Sequence, residues 1–228
     1  MKKIILALDT TDLKEALNIA KIAKDKIFTI KLGLEFFNAH GKHGVKRFNE
    51  IGINNLMLDL KLKDIPATVY KSIKALDGIE FGFLTVHGQG GKVMVEKAKQ
   101  AAKEIKCKAK IMMVTILTAL SDQDLKNMGN NNSVSDQVQK LAGLAKEVGV
   151  GVICSGNEAK IVRKVIGPNL LIFTPGIRML NEKKNDQQRV CTPKQSIENG
   201  SDKIVMGRSI IKGSILENLD KVLKSLKK

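Results

Sequence analysis

Apolar residues fall along this chain in short runs at a regular spacing. Eight of them, at 4–8, 28–32, 56–62, 83–86, 110–117, 151–154, 170–173 and 203–206, are rich in Ile, Val, Leu and Phe. Continuous apolar runs of this length predict strands buried on both faces. Between them lie longer stretches of Lys, Glu and Ala in which apolar positions recur every three or four residues, as Leu13, Ala16, Leu17, Ala20 and Ala23 do. That period predicts helices at 13–26, 67–76, 91–105, 134–148 and 157–165. Thr10 or Thr11, Asp64 and Ser133 stand where helix N-caps are expected.

Strand–helix alternation implies parallel strands joined by right-handed crossovers. Eight such units in 228 residues predict an α/β fold closed into a (β/α)₈ TIM barrel, one catalytic domain over 1–228. Two polar stretches interrupt the rhythm. Residues 121–132 read as a short extra helix and a loop, and residues 178–189 as a second loop, a candidate mobile lid.

In such a barrel the chemistry gathers at the C-terminal ends of the strands. The first strand ends in Asp9, and the second carries Lys31. The third carries Asp59 and Lys61, two apart and therefore on one face, with Asp64 at the turn that follows. Asp59 and Lys61 alone read as a structural ion pair. Four or five charged groups converging on one mouth are a poor device for stability and a plausible active site. The seventh strand ends Thr174-Pro175-Gly176-Ile177-Arg178 and the eighth Gly207-Arg208-Ser209, with Arg208-Ser209 opening the final helix. Glycine, a helix N-terminus and two of only five arginines at adjacent strand ends predict an anion site. His87 at the end of the fourth strand reads as a hydrogen-bonded structural residue, and Cys154 as core packing.

Charge narrows the partners. The 39 Lys and Arg against 23 Asp and Glu give +16. The lysines are spread along the whole chain, there is no Trp, and Tyr70 is the one tyrosine. Stacking platforms for single strands are therefore scarce, and neither nucleic acid nor membrane is expected as a partner. A basic field that steers a phosphorylated small molecule fits the same numbers. Three scattered cysteines, 107, 154 and 191, suit a reducing cytoplasm. The apolar run after Met1-Lys2-Lys3 is too short for a secretion signal. No cluster of residues has metal-ligand spacing, so no metal is expected.

The stretch from Asp59 to Thr68, DLKLKDIPAT, resembles the signature of the orotidine 5′-phosphate decarboxylase family in its bacterial form. Leu6-Ala7-Leu8-Asp9, Lys31-Leu32-Gly33, Val86-His87-Gly88, Val114 to Thr118, Thr174 to Arg178, Asp186-Gln187 and Gly207-Arg208 follow in that family's order, over nearly the whole chain. Lys63, Ala67 and Met179 depart from it, standing where His, Asn and Pro are common. The resemblance implies a homodimeric barrel with shared active sites. It implies conversion of orotidine 5′-phosphate to UMP and CO₂, the last step of pyrimidine nucleotide synthesis, with no cofactor. It implies Lys61 as proton donor between Asp59 and Asp64, with Asp64 and Thr68 reaching the partner's site. Asp9 and Lys31 would hold the ribose, Ile65, Thr118 and Pro175 would contact the substrate, and Arg178, Gln187, Gly207 and Arg208 would bind its phosphate. The shorter Asp-x-Lys-x-x-Asp pattern is also similar to metal-dependent relatives, the 3-keto-gulonate 6-phosphate decarboxylases and hexulose 6-phosphate synthases, which remain the alternative.

Overall fold

Each apolar run becomes a strand. The structure, a computed structural model, describes residues 2–180 and 189–226. In chain order it runs β1 (Ile4–Leu8), α1 (Leu13–Ala23), β2 (Thr29–Gly33), α2 (Leu34–Glu50), β3 (Leu56–Leu62), α3 (Pro66–Lys74), β4 (Phe83–His87) and α4 (Lys92–Glu104). The second half is β5 (Lys110–Val114), α5 (Asp122–Asn127), α6 (Val134–Val148), β6 (Gly151–Ile153), α7 (Ala159–Ile166), β7 (Ile172–Thr174), α8 (Pro193–Glu198), β8 (Lys203–Met206), α9 (Arg208–Ile211) and α10 (Ile215–Ser225). The strands pair in parallel in sequence order, and β8 returns to β1 through Ile5↔Val205, closing the barrel.

Two apolar layers hold it together. The larger lies between the strands and the surrounding helices, around Leu6, Ile30, Phe36, Phe48, Leu84 and Val152. The smaller fills the barrel itself, with Ile5, Ala7, Met57, Phe83, Met112, Val114, Ile153, Phe173 and Val205. Its floor is aromatic: Phe83 meets Phe28 and Phe173 at centroid distances of 5.7 and 5.1 Å. The Lys203 ammonium sits 4.2 Å from the Phe28 ring centre and donates to the Lys2 carbonyl. With this end packed, a ligand can enter only from the opposite, C-terminal end of the strands.

Local differences from the sequence pattern have physical causes. The β5 run was expected to reach residue 117, but the strand ends at Val114. Its neighbour β6 is only Gly151–Ile153, and both the amide and the hydroxyl of Thr115 bond to the Ile153 carbonyl. Ile116 stays apolar because it is buried by packing. The first helix is capped by Asp12, whose carboxylate accepts from the Glu15 amide, while Thr10 accepts from the Asp12 amide. Asp64 is not the cap of α3. Its carboxylate accepts from the adjacent Ile65 amide, Ile65 holds the cap position, and Pro66 opens the helix. Ser133 caps α6 as expected. Arg208 opens the one-turn α9 rather than the final helix, which is α10.

Candidate active site

One cavity of about 330 Å³ opens at the C-terminal ends of the strands. Inward-facing residues alternate along each strand, so the layer above Ala7, Met57 and Val205 is Asp9, Asp59 and Gly207. On this layer four charges alternate in sign. The Lys31 ammonium lies 3.1 Å from Asp9 Oδ1 and 3.3 Å from Asp59 Oδ2. Lys61 Nζ lies 2.9 Å from the same Asp59 Oδ2. Lys31 and Asp59 are buried, Lys61 is half-buried and Asp9 is exposed.

Burial works against the charge of Lys31, but Asp59 and then Asp9 outweigh it, and its pKa stands above the ordinary lysine value. Burial likewise opposes the Asp59 carboxylate. Lys31, Lys61 and the Thr85 hydroxyl overcome that and hold it below the usual carboxylate range. Both groups are therefore ionised at neutral pH. His87 at the end of β4 is pushed the other way, by burial and then by Lys63 and Lys61, and is neutral. Its Nδ1 accepts from the Gln89 amide, the structural role expected of it.

The backbone makes room for this cluster. A side chain at Gly33 would put a Cβ 3.0 Å from Asp9 Oδ1 and 3.1 Å from Lys31 Nζ. At Gly207 a Cβ would stand 3.2 Å from the Ala7 carbonyl oxygen, so the absence of a side chain keeps the strand end open to a ligand. Arg178 and Arg208 line the same cavity, as do Pro175, Gly176 and the apolar side chains of Ile116, Leu117 and Ile153. The result is a pocket lined by apolar side chains, an ordered set of paired charges and two guanidinium groups. It suits a flat, polar ring attached to an anion.

The family model described as "Orotidine 5'-phosphate decarboxylase / HUMPS family" matches residues 2–215. The chain belongs to this family. An orotidine 5′-phosphate decarboxylase of Wolbachia sp. subsp. Brugia malayi is 43% identical over 228 residues, covering 99% of this chain and 100% of that one. The enzyme of the same name from Sphingopyxis alaskensis is 42% identical over 212 residues, covering 92% of each. The crystal structure of orotidine 5′-phosphate decarboxylase from Lactobacillus acidophilus superposes with a TM-score of 0.82 at 35% identity, covering 100% of both chains.

Within this member of the family, the cavity gathers nine of the residues singled out from the sequence: Asp9, Lys31, Asp59, Lys61, Thr118, Pro175, Arg178, Gly207 and Arg208. It does not gather Asp64, Ile65 and Thr68, which lie exposed on the rim where β3 passes into α3. Gln187 lies outside the described residues, as does most of the polar loop expected at 178–189. Three contributors were missed. Gly33 carries no chemistry of its own. Thr85 stands at a strand end in the sequence, but nothing there gives it a role. Arg189 was read only as the end of a loop, yet it pairs with buried Glu158 and donates to the carbonyls of Ile116 and Leu117. The one sequence signal for that pair is a carboxylate three residues after Ser155, whose amide it accepts.

Proposed function

We propose that the chain is a carboxy-lyase that converts orotidine 5′-phosphate to UMP and CO₂. The observation that carries this reading is the Asp9–Lys31–Asp59–Lys61 alternation in a cavity also lined by apolar side chains and by Arg178 and Arg208. Full-length relatives at 38–43% identity, all carrying the decarboxylase name, support it over the hexulose-phosphate chemistry that the broader family includes.

The chemistry follows from the charges. Breaking the bond from C6 of the pyrimidine to its carboxylate leaves the electron pair on C6 and releases CO₂. That carbanion has little resonance relief, so a cation fixed beside it does most good in the transition state. Lys61 is that cation in this reading, and its ammonium then delivers the proton that completes UMP. Asp59, whose Oδ2 lies 2.9 Å from the Lys61 ammonium, aims it at C6, while Lys31 pairs with Asp59 and with Asp9, and Lys31 and Asp9 face the ribose hydroxyls. Thr118 and Pro175 line the same cavity and are the contacts for the pyrimidine in this reading. Arg178, Arg208 and the open backbone at Gly207 receive the phosphate. Because Lys61 itself supplies the positive charge, the step calls for no metal or organic cofactor.

Asp64, Ile65 and Thr68 fit a second copy better than their own cavity. Ile65 is 67% exposed beside them, an unusual position for so apolar a side chain. In this reading the rim packs against a second copy and inserts Asp64 and Thr68 into its site, so the enzyme works as a homodimer within one catalytic domain per chain.

The test is turnover of orotidine 5′-phosphate in the presence of EDTA, followed by loss of orotate absorbance. Turnover supports the reaction and its independence of metal. Absence of turnover, with activity on a hexulose phosphate plus Mg²⁺, would transfer the chain to the other branch of the family.

A further inference from the structure

One hydroxyl joins the two residues on which that reaction turns. Between the Leu58↔Leu84 and Leu62↔Val86 pairs the β3–β4 register slips, and Asp59, Leu60 and Lys61 stand against Thr85 alone. The slip puts Lys61 in the left-handed region at φ 47°, where a residue with a Cβ is strained. In a regular ladder the Lys61 amide would bond to a β4 carbonyl. Here it donates instead to Thr85 Oγ1 at 2.8 Å. The same hydroxyl donates its proton to Asp59 Oδ1 at 3.0 Å. Thr85 is fully buried, so neither bond is shared with bulk water.

We propose that Thr85 is a positioning residue of the decarboxylation: its hydroxyl locks the strained backbone at Lys61 and the carboxylate of Asp59 in one geometry, which sets the ammonium against C6. The inference rests on the decarboxylase reading. Three observations make it specific. The hydroxyl's single proton is committed to Asp59 and an acceptor lone pair to Lys61, so its rotor is fixed from both sides. Asp59 Oδ2 is taken by Lys31 and Lys61, which leaves Oδ1 as the oxygen whose direction decides the rotation of the carboxylate. A valine of the same shape would fill the space and leave both partners unanswered. The charged groups that face Asp59 are Lys31 on β2 and Lys61 on β3; Asp9, just past the end of β1, meets Lys31 on its other side, and His87 of β4 feels Lys63 and Lys61. Thr85 is the neutral donor on that side.

The experiment compares wild type, Thr85→Val and Thr85→Ser for turnover of orotidine 5′-phosphate against pH, and for UMP affinity by calorimetry. Thr85→Val is expected to lower kcat by roughly 10²-fold, the scale of a catalytic group displaced by about an ångström. UMP affinity stays at the wild-type value. The acid limb of the kcat/KM profile moves to higher pH in Thr85→Val, because Asp59 loses a hydrogen bond that favours its ionised form. Substrate ionisations are common to all three proteins and cancel. Thr85→Ser, which keeps the hydroxyl, restores both kcat and the limb. If Thr85→Val does not fold, Thr85→Cys, with only a weak donor, carries the same comparison. A folded valine or cysteine variant with wild-type kcat and an unmoved limb overturns the inference and leaves the decarboxylase reading standing. So does a loss of UMP affinity equal to the loss of kcat, which marks Thr85 as structural only. A wild type with no turnover overturns the parent reading and the inference with it.

Discussion

Replacing Lys31 by Met tests the charge alternation on stability alone, before any substrate is added. Methionine keeps much of the length and removes the ammonium. At an effective dielectric of about 20, each of the two contacts at 3.1 and 3.3 Å is worth about 5 kcal/mol of attraction. The Asp9 arm is discounted, because the Asp9 side chain is 58% exposed and solvent screens it. The Asp59 arm lies between side chains that are each 11% exposed, and there the loss of one partner leaves a buried carboxylate short of compensation. Breaking such a pair costs about 3–5 kcal/mol, and the lower end applies because Asp59 keeps Lys61 and Thr85. For a chain of this size that is a fall in Tm of roughly 6–12 °C at pH 7, read by calorimetry or circular dichroism. The pH dependence identifies the cause. Asp59 has a folded-state pKa below its unfolded value, so its stabilisation is present above the unfolded pKa and is lost as pH falls through the folded one. The deficit of Lys31→Met against wild type must therefore shrink as pH is lowered past about 4. A variant that melts like wild type at pH 7, or a deficit that is the same at acid and neutral pH, refutes the reasoning and makes Lys31 a packing residue.

Other consequences can be checked separately. With Arg208 as the phosphate partner proposed above, Arg208→Ala removes a contact worth about 1.5–3 kcal/mol, and KM for orotidine 5′-phosphate rises roughly 10- to 150-fold in steady-state assays, with a smaller change in kcat. Glu158→Ala strands the largely buried Arg189 guanidinium, whose Nε has no hydrogen-bond partner among the described residues, and lowers stability by about 3 kcal/mol in urea titrations. Burial pushes the Cys154 thiol up to about 12 and raises Cys107 and Cys191 above the ordinary thiol value. Native protein at pH 8 should therefore resist iodoacetamide at Cys154 and label fully only after unfolding, as mass spectrometry would read.

The barrel was legible because its strands are buried on both faces, which writes eight apolar runs into the sequence whatever the helices do. The site was legible where burial and charge conflict. Asp59 and Lys61 stand out because a charged pair inside an apolar strand demands a reason, and Asp9 and Lys31 follow from their matching positions on neighbouring strands. What escaped the sequence was three-dimensional. A register slip leaves no mark on composition, so the left-handed Lys61 and the role of Thr85 could not be read from an otherwise ordinary β-branched residue. The end of β5 escaped because Ile116 is apolar for packing, and apolarity reports burial before it reports strand. Around His40 and His43 the sequence shows a helix but not its span, because Gly41 and Gly44 break the pattern of α2; Gly41 kinks it at φ 53°, while Gly44 lets the chain close on Phe36. The clasp between Arg189 and Glu158 joins positions far apart in sequence, and neither residue type announces the other.

In the proposed reaction Lys61 supplies both the charge and the proton at C6. The most direct measurement sets wild type and Lys61→Ala side by side for turnover of orotidine 5′-phosphate and for UMP affinity by calorimetry. Turnover is expected to fall by at least 10²–10⁴-fold, the usual worth of a positioned proton donor, while UMP affinity holds. Lys61→Ala turning over at the wild-type rate, or losing UMP affinity in step with turnover, would contradict that role.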